Sequence, residues 1–262
     1  MQKVIVLIFT HKAEPSADEL RSLRQCCIVL GKHPMRLVCP RGMDLAAYRA
    51  VHPGIVADFI DPKWFKSVGD YNLLKALPWL YRRYAGYEFM LTYELDAWVF
   101  RDELLHWCEQ EWDYIGAPWF ERHGACSEEA KPIRGGNSGF SLRRTAGCLA
   151  ALRALLCRRV LALPKTWFRL IRGGGSVSLP ASAAELFRPF AGMIPAEDFF
   201  WCYTVPKVYP FFRIAPYEQC RKFAFETNAR RLYEESGQLL PFGCHKWSAD
   251  RAFWKRFICT AI

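Results

Sequence analysis

The stretch Glu88-Phe-Met-Leu-Thr-Tyr-Glu-Leu-Asp96 leads from an apolar run directly into two carboxylates one residue apart. Residues 88–93 predict a buried strand, and Glu94 and Asp96 follow where it ends. In parallel α/β sheets, ligands bind beyond the carboxyl ends of the strands. Two carboxylates at that place suit a hard divalent cation shared with phosphate oxygens. A surface turn with two solvated acids is the alternative interpretation.

Upstream of this stretch, strand and helix patterns alternate. Residues 4–10, 35–39 and 55–60 have the pattern of short strands. After the first strand, Ser16 and Glu19 predict a capping box, because each side chain can satisfy a free backbone N–H at a helix start. A second helix is predicted over residues 73–84, with Pro78 as a possible kink. The alternation predicts a mostly parallel sheet covered by helices.

The second half of the chain is less regular. Residues 112–117 and 139–143 resemble strands, residues 145–163 predict a long basic helix, and residues 173–176 predict a flexible loop. No convincing domain linker is visible. We therefore expect one domain over residues 1–262, with residues 1–100 as the nucleotide-binding half and residues 101–262 as the acceptor-binding half.

The composition is that of a folded chain of 262 residues, 52% of them hydrophobic. No apolar run reaches the roughly 18 residues of a membrane span. Residues 4–9 are too short for the apolar core of a signal peptide. The eleven cysteines have no CxxC spacing, which argues against a zinc site and a disulfide framework. These features predict a cytoplasmic protein with reduced cysteines.

The net charge of +10 comes from one basic segment. Between Glu129 and Glu185 there are ten Lys or Arg and no acid. The segment 131–172 therefore predicts an anionic partner, either nucleotide phosphate, an anionic glycan or the inner face of a membrane. A merely solvated basic face is the alternative. No nucleic-acid motif is present, so nucleic acid is not an expected partner.

Three further motifs carry candidate functional residues. Arg134-Gly-Gly-Asn-Ser-Gly-Phe-Ser-Leu142 lets backbone approach a ligand, although an ordinary tight turn has the same composition. Pro195-Ala-Glu-Asp198 places two acids before an aromatic run, either for chemistry or as a helix cap. Pro241-Phe-Gly-Cys-His-Lys-Trp247 presents an imidazole in a compact turn, while a lone histidine is more often structural.

Together, and in this order, these motifs resemble the GT-A glycosyltransferases, which carry a DxD-type metal motif, a glycine-rich loop, an acidic motif and a late histidine. More closely, four strings resemble a bacterial and fungal glycosyltransferase-like family, DUF5672, and the resemblance spans roughly residues 1–250. These strings are Tyr93-Glu-Leu-Asp-Ala-Trp-Val-Phe-Arg-Asp-Glu-Leu104, Trp112-Asp-Tyr-Ile-Gly-Ala-Pro-Trp119, Gly136-Asn-Ser-Gly-Phe-Ser-Leu-Arg143 and Pro241-Phe-Gly-Cys-His-Lys-Trp247.

The resemblance implies a Rossmann-like three-layer sandwich and a nucleotide-sugar donor, with UDP as the expected nucleotide. It implies Mn²⁺ or Mg²⁺ bound by Asp96, His245 and Glu94; Mn²⁺ accepts both carboxylate oxygen and imidazole nitrogen. The carry-over to Glu94 is less direct, because the usual first residue of the motif is Asp. The predicted donor site comprises Thr10, His11, Asn72, Glu94, Asp96, Gly136, Asn137 and Lys246.

The resemblance also implies catalytic roles for the acidic motif. Asp198 would be the general base of an inverting transfer to a glycan or lipid-linked glycan hydroxyl, and Glu197 would orient sugar hydroxyls. Two rival functions stay open. One is a nucleotidyltransferase of related fold, although residues 9–13 lack a glycine-rich phosphate loop. The other is a non-catalytic carbohydrate-binding protein, for which Glu94 in place of Asp is the only hint.

Overall fold

The structure is a computed structural model that describes residues 1–121, 129–133, 136–172 and 196–258, with only the backbone of residues 159–172. Its strands are β1 (Gln2–Phe9), β2 (Met35–Pro40), β3 (Ala57–Ile60), β4 (Tyr87–Glu94), β5 (Trp98–Val99), β6 (Tyr114–Gly116), β7 (Phe140–Arg144), β8 (Ala224–Phe225) and β9 (Gly243–Cys244). Six of these strands form one central sheet, in the order β3-β2-β1-β4-β7-β6. Strands β3, β2, β1 and β4 run parallel, and β7 is antiparallel to β4 and β6.

Both faces of this sheet are buried, as the continuous apolar sequence of β1 requires. Val4, Val6 and Ile8 pack into one apolar cluster with α1 (Ala17–Leu30), whereas Ile5 and Leu7 pack into the cluster on the other face. Successive side chains of a strand point to opposite faces, so a single strand serves both layers. The predicted α/β class with a mostly parallel mixed sheet between two helical layers is confirmed.

The remaining helices cover this framework. They are α2 (Ala46–Val51), α3 (Val68–Ala76), α4 (Pro78–Arg83), α5 (Leu104–Glu109), α6 (Thr145–Arg172), α7 (Glu197–Phe199), α8 (Val205–Val208), α9 (Tyr217–Phe223), α10 (Ala229–Glu235) and α11 (Arg251–Trp254). A π-helical turn, Phe200–Thr204, joins α7 to α8. The capping box of Ser16 and Glu19 at the start of α1 is present as predicted.

The prediction of one continuous helix over residues 73–84 was wrong, because two helices occupy this region. Leu77 adopts an extended backbone, with φ −89° and ψ 142°, so α3 ends before it and α4 begins at Pro78. The proline ring disfavours a helical conformation at the preceding residue, and proline itself is tolerated at the first helical position. Pro78 therefore separates two helices instead of kinking one.

A second, smaller sheet has the order β5-β9-β8 and closes one end of the main sheet. It carries a third apolar cluster built around Trp98, Phe225, Trp247 and Trp254. The backbone carbonyl of Asp96 accepts a hydrogen bond from the Trp247 N–H at 3.3 Å. The C-terminal region is thereby held against the end of β4, where the two acids lie.

The basic segment is only partly described. Arg143, one of its cations, is 1% exposed and lies in β7, so it does not belong to a basic surface. Arg134, the side chains of residues 159–172 and the predicted loop at 173–176 lie outside what the structure describes. Within the described ranges, no helix combines the length and the apolar character that crossing a membrane requires. The described cysteines are unpaired, and most are buried.

Candidate metal and donor site

Three potential metal ligands meet at the carboxyl end of β4. Glu94 is the last residue of that strand, Asp96 lies in the turn that follows, and His245 follows β9. One ligand atom of each residue lies within 4.8 Å of the others. The side chain of Asp96 is 38% exposed, while His245 is 3% exposed. His245 and the two acids of the Glu94-Leu-Asp96 motif, predicted to share one metal site, lie together.

The surroundings of His245 fit a metal ligand. Its Nε2 lies 2.9 Å from Asp96 Oδ1 and 3.4 Å from Glu94 Oε2. Neither ring nitrogen makes a hydrogen bond of acceptable angle to a described residue. A buried polar atom without such a partner is costly, and a metal ion would satisfy it. Two carboxylates and an imidazole are suitable ligands for Mn²⁺.

The backbone of the small sheet places His245 there. Cys244 pairs with Trp98 and with Phe225, and the His245 N–H donates to the carbonyl of Phe225 at 2.9 Å. A Cβ on Gly139 would overlap the Nε2 end of the imidazole. The last glycine of the glycine-rich loop is therefore required for the close approach of the histidine.

The acids open into a large cleft of about 710 Å³. It extends across the carboxyl ends of β1 and β4, the position expected for a ligand of a parallel sheet. Thr10 and His11, both predicted to bind donor, line this cleft. The imidazole of His11 stacks on Phe65, with ring centroids 6.5 Å apart, and Phe65 stacks on Tyr71. The cleft thus has an aromatic wall and an acidic end.

A buried cation joins the two acidic motifs. Lys75 is 1% exposed, and its Nζ lies 2.7 Å from Glu94 Oε1 and 3.1 Å from Glu197 Oε1. Ser138 Oγ accepts a hydrogen bond from the ammonium at 3.1 Å. The three oxygen neighbours match in number the three N–H donors of an ammonium. It connects the end of β4 to the residue before Asp198.

Glu197 is the centre of this network. Its carboxylate is 0% exposed, and Oε1 accepts from Arg143 at 2.6 Å in addition to Lys75. Arg143 also donates to the Ser141 hydroxyl and to Tyr81. Glu197 contacts cations inside the protein and does not line the open cleft. Its contact with sugar hydroxyls stays a prediction.

Asp198 is 7% exposed, and its Oδ1 accepts from the Phe199 N–H at 2.8 Å. Burial, followed by the negative charge of Glu197, raises the pKa of the Asp198 carboxyl to about 7. For Glu94, burial acts in the same direction, but Lys75 and His245 outweigh it and hold the pKa well below its usual range. The pKa values of the Asp198 and Glu94 carboxyls are therefore shifted in opposite directions.

Other predicted donor residues lie around this core. Gly136 packs against the backbone of Gly116, where a Cβ would overlap it, so packing alone accounts for this glycine. Asn137 Oδ1 accepts from the Gly139 N–H at 2.9 Å and shapes the loop. Asn72 is buried in α3. Donor contacts of these three residues stay predictions.

Lys246 adopts a left-handed backbone, with φ 53°, and its Nζ lies 2.8 Å from Glu226 Oε1. Sequence reasoning missed Glu226, and it also missed Lys75 and the buried role of Arg143. Glu226 had a detectable signal, because it follows the buried residues 223–225 as Glu94 follows residues 89–93. Lys75 had none, since a lysine within an amphipathic helix is usually solvated.

The chain is an α/β protein in which two acids and a histidine lie together at the carboxyl ends of parallel strands, where they could hold a metal ion. The chain belongs to the family described as "Protein of unknown function (DUF5672)", whose model matches residues 54–245. The match includes Glu94, Asp96, the acidic motif and His245, and it begins after β2. No curated protein matches the chain.

Several solved structures of glycosyltransferases are similar to this chain. One is involved in glycosylating the major capsid of PBCV-1, with 11% identity, a TM-score of 0.48, and coverage of 99% of this chain and 100% of that one. Mouse xyloside xylosyltransferase 1 has 12% identity, a TM-score of 0.49, and coverage of 93% and 97%. The galactosyltransferase LgtC, solved with donor and acceptor sugar analogues, has 15% identity, a TM-score of 0.48, and coverage of 92% and 86%.

Proposed function

We propose that this chain is a metal-dependent GT-A-type glycosyltransferase that moves a sugar from a nucleotide-sugar donor, with UDP as the nucleotide, to a hydroxyl acceptor. The convergence of Glu94, Asp96 and His245 at the acidic end of a large cleft carries the proposal. These residues come from distant parts of the chain, and the imidazole has no well-formed hydrogen bond within the described structure. Such an arrangement suits a metal shared with a diphosphate.

Each residue has a distinct task in this reaction. Asp96 and His245 would hold Mn²⁺ or Mg²⁺, with Glu94 as a third ligand through Oε2, because Oε1 is held by Lys75 and Tyr71. The bound metal would supply neutralisation of the negative charge that grows on the departing diphosphate. Lys246 would add a second positive charge near the diphosphate.

Asp198 would accept the proton of the attacking hydroxyl. Its raised pKa, about 7, suits this task, since a general base works best with a pKa near the operating pH. Direct attack with Asp198 on the face opposite the diphosphate would invert the anomeric configuration. Glu197 is directly adjacent and bound to two cations, so it would hold Asp198 in position as well as raise its proton affinity.

The two halves of the chain would divide the substrates. Residues 1–100 supply most of the cleft and would bind the nucleotide, with His11 and Phe65 offering ring faces to the base. Residues 101–262 would bind the acceptor, a glycan or a lipid-linked glycan. We place the enzyme in the cytoplasm, at the inner face of a membrane when its acceptor is lipid-linked. Liposome sedimentation at low salt tests this; equal recovery with neutral and anionic vesicles would contradict it.

The decisive experiment is a thermal-shift screen of nucleotide sugars with and without Mn²⁺, followed by an assay for nucleoside diphosphate release. Binding to the native state raises the melting temperature by mass action. We expect a UDP-sugar to stabilise the protein only when Mn²⁺ is present, and Asp96→Asn to remove that stabilisation.

Slow release of UDP would support the transferase. Release of pyrophosphate from a mixture of a nucleoside triphosphate and a sugar phosphate would instead identify a nucleotidyltransferase. Sugar binding without any nucleotide effect would identify a carbohydrate-binding protein. Either of these two outcomes would overturn the proposal.

A further inference from the structure

Glu226 is a largely buried carboxylate beside the candidate site. Its side chain is 8% exposed, and a single oxygen, Oε1, lies 2.8 Å from Lys246 Nζ and 3.4 Å from His245 Nδ1. It therefore faces two consecutive residues that the proposed function assigns to the metal and the diphosphate. No role in the resemblance or in the proposed mechanism accounts for it.

The backbone fixes this position. Strand β8 runs parallel to β9, with Phe225 opposite Cys244, so the residues that follow each strand are neighbours. The His245 N–H donates to the Phe225 carbonyl at 2.9 Å. Lys246 then turns through a left-handed conformation. The register of the two strands therefore holds Glu226 beside the imidazole.

The two nitrogens of His245 face different carboxylates. Nε2 lies near Asp96 and Glu94, whereas Nδ1 lies near Glu226. A nitrogen that binds a metal must carry no proton, so a ring that binds through Nε2 must keep its proton on Nδ1. The carboxylate that faces Nδ1 then decides both the tautomer and the rotation of the ring.

We propose that Glu226 is a positioning residue that accepts the Nδ1 proton of His245 in a hydrogen bond and so presents Nε2 to the metal. This inference rests on the proposed metal site. The observed separation needs a shift of only about 0.5 Å to reach an ordinary N–H···O distance. Carboxylate partners of this kind orient metal-binding histidines, and their loss typically weakens metal affinity about 10- to 100-fold.

Mn²⁺ alone, without nucleotide, is the appropriate probe, with free Mn²⁺ measured by electron paramagnetic resonance. We expect Glu226→Leu, which removes the acceptor, to raise the dissociation constant for Mn²⁺ about 10- to 100-fold. Glu226→Gln keeps an acceptor oxygen and is expected to lie between Glu226→Leu and the unaltered protein.

The chain offers a matched control in Asp102, whose carboxylate lies 3.0 Å from Nε2 of the buried His33. Asp102→Leu breaks a carboxylate–histidine contact away from the site, so its melting temperature is compared directly with that of Glu226→Leu. We expect it to leave Mn²⁺ affinity within twofold, even where its melting temperature falls as much as that of Glu226→Leu.

The possible failures are distinguishable. If His245→Ala weakens Mn²⁺ binding and Glu226→Leu leaves it within twofold, the role of Glu226 is overturned while the metal site stands. If neither His245→Ala nor Asp96→Asn weakens Mn²⁺ binding, the proposed metal site itself fails, and the inference fails with it. If Asp102→Leu weakens Mn²⁺ binding as much as Glu226→Leu does, the effect is general destabilisation and not positioning.

Discussion

Asp96 and His245 are distant in the chain, yet Asp96 Oδ1 lies 2.9 Å from His245 Nε2. The pairing of Trp98 with Cys244 brings the two segments together, and the Trp247 N–H bonds to the carbonyl of Asp96. A carboxylate that is partly exposed thereby meets an imidazole that is almost completely buried. This contact places the C-terminal region of the chain at the end of the central sheet, and the site exists only because of it.

The first prediction concerns the turnover of Asp198→Asn. The change keeps the shape of the side chain but removes its proton affinity. A general base contributes roughly 10²- to 10⁴-fold, or about 3 to 5 kcal/mol of barrier. We expect a loss of turnover in that range in a steady-state transfer assay, with donor binding in Mn²⁺ little changed. Turnover of the unaltered protein should rise with pH through about 7, as Asp198 loses its proton.

Near-full activity of Asp198→Asn would contradict the assignment of the general base. So would a product that retains the anomeric configuration of the donor, determined by NMR. The acidic motif would then serve only as a helix start beside the site.

The second prediction concerns stability against pH. Burial and Glu197 raise the pKa of folded Asp198 to about 7, so between about pH 4 and 7 the folded state binds more protons than the unfolded state. Stability from this group is therefore present below the unfolded pKa and is lost as pH rises through the folded pKa. We expect Asp198→Asn to be more stable than the unaltered protein above pH 7, by up to about 4 kcal/mol.

Urea denaturation at pH 5 and pH 8 measures this difference in the free energy of unfolding. The gain of the variant should be larger at pH 8 than at pH 5. An equal gain at both values would show that ionisation of Asp198 is not its cause.

The third prediction compares a buried ion pair with an exposed one. Lys75→Met leaves Glu197 and Glu94 without one of their cations inside the protein. Removing one partner of a buried pair typically costs about 3 to 5 kcal/mol, because a charge is left uncompensated. Chemical denaturation should show a loss of that size.

Lys3→Met is the matched control, since Lys3 Nζ lies 3.0 Å from Glu88 but its side chain is 40% exposed. An exposed pair contributes about 0 to 1 kcal/mol. Comparable losses in the two variants would disprove the buried network as a source of stability.

The fourth prediction concerns Gly139→Ala. The added Cβ would overlap the imidazole of His245, so the ring or the loop must move. We expect weaker Mn²⁺ binding, by about tenfold or more, on the scale of losing the orientation of a metal ligand. Mn²⁺ titration followed by electron paramagnetic resonance measures the change.

Gly86→Ala serves as the control, because a Cβ at Gly86 meets no atom within 4 Å. It should leave Mn²⁺ affinity unaltered. Unchanged affinity in Gly139→Ala would show that the contact between loop and imidazole does not matter for the site.

Much of the fold was predictable, because its signals are local. The apolar runs of β1, β2 and β4 and the capping box of α1 depend on neighbouring residues, and each prediction is confirmed within a few positions. The boundary at Pro78 was less certain, since a kinked helix and two separate helices share the same apolar spacing. Only the backbone of Leu77 distinguished them.

The candidate site was predictable where a motif contained it. Glu94 and Asp96 come directly after an apolar run, and His245 lies in a motif with a family resemblance. Lys75 and Arg143 carried no comparable signal, because a charged residue in sequence is ordinarily solvated. Their importance arises from burial among opposite charges.

By itself, the sequence determined the alternation of strands and helices up to residue 96, the position of the acids at a strand end, and the apolar faces that must be covered. Alternating and helical periodicities record these features within short windows of the chain. Only the tertiary structure decided that Lys75 lies between Glu94 and Glu197, and that His245 has Asp96 on one side and Glu226 on the other. Such contacts depend on strand register and packing across the whole domain, and the strength of a charge pair depends on its removal from water.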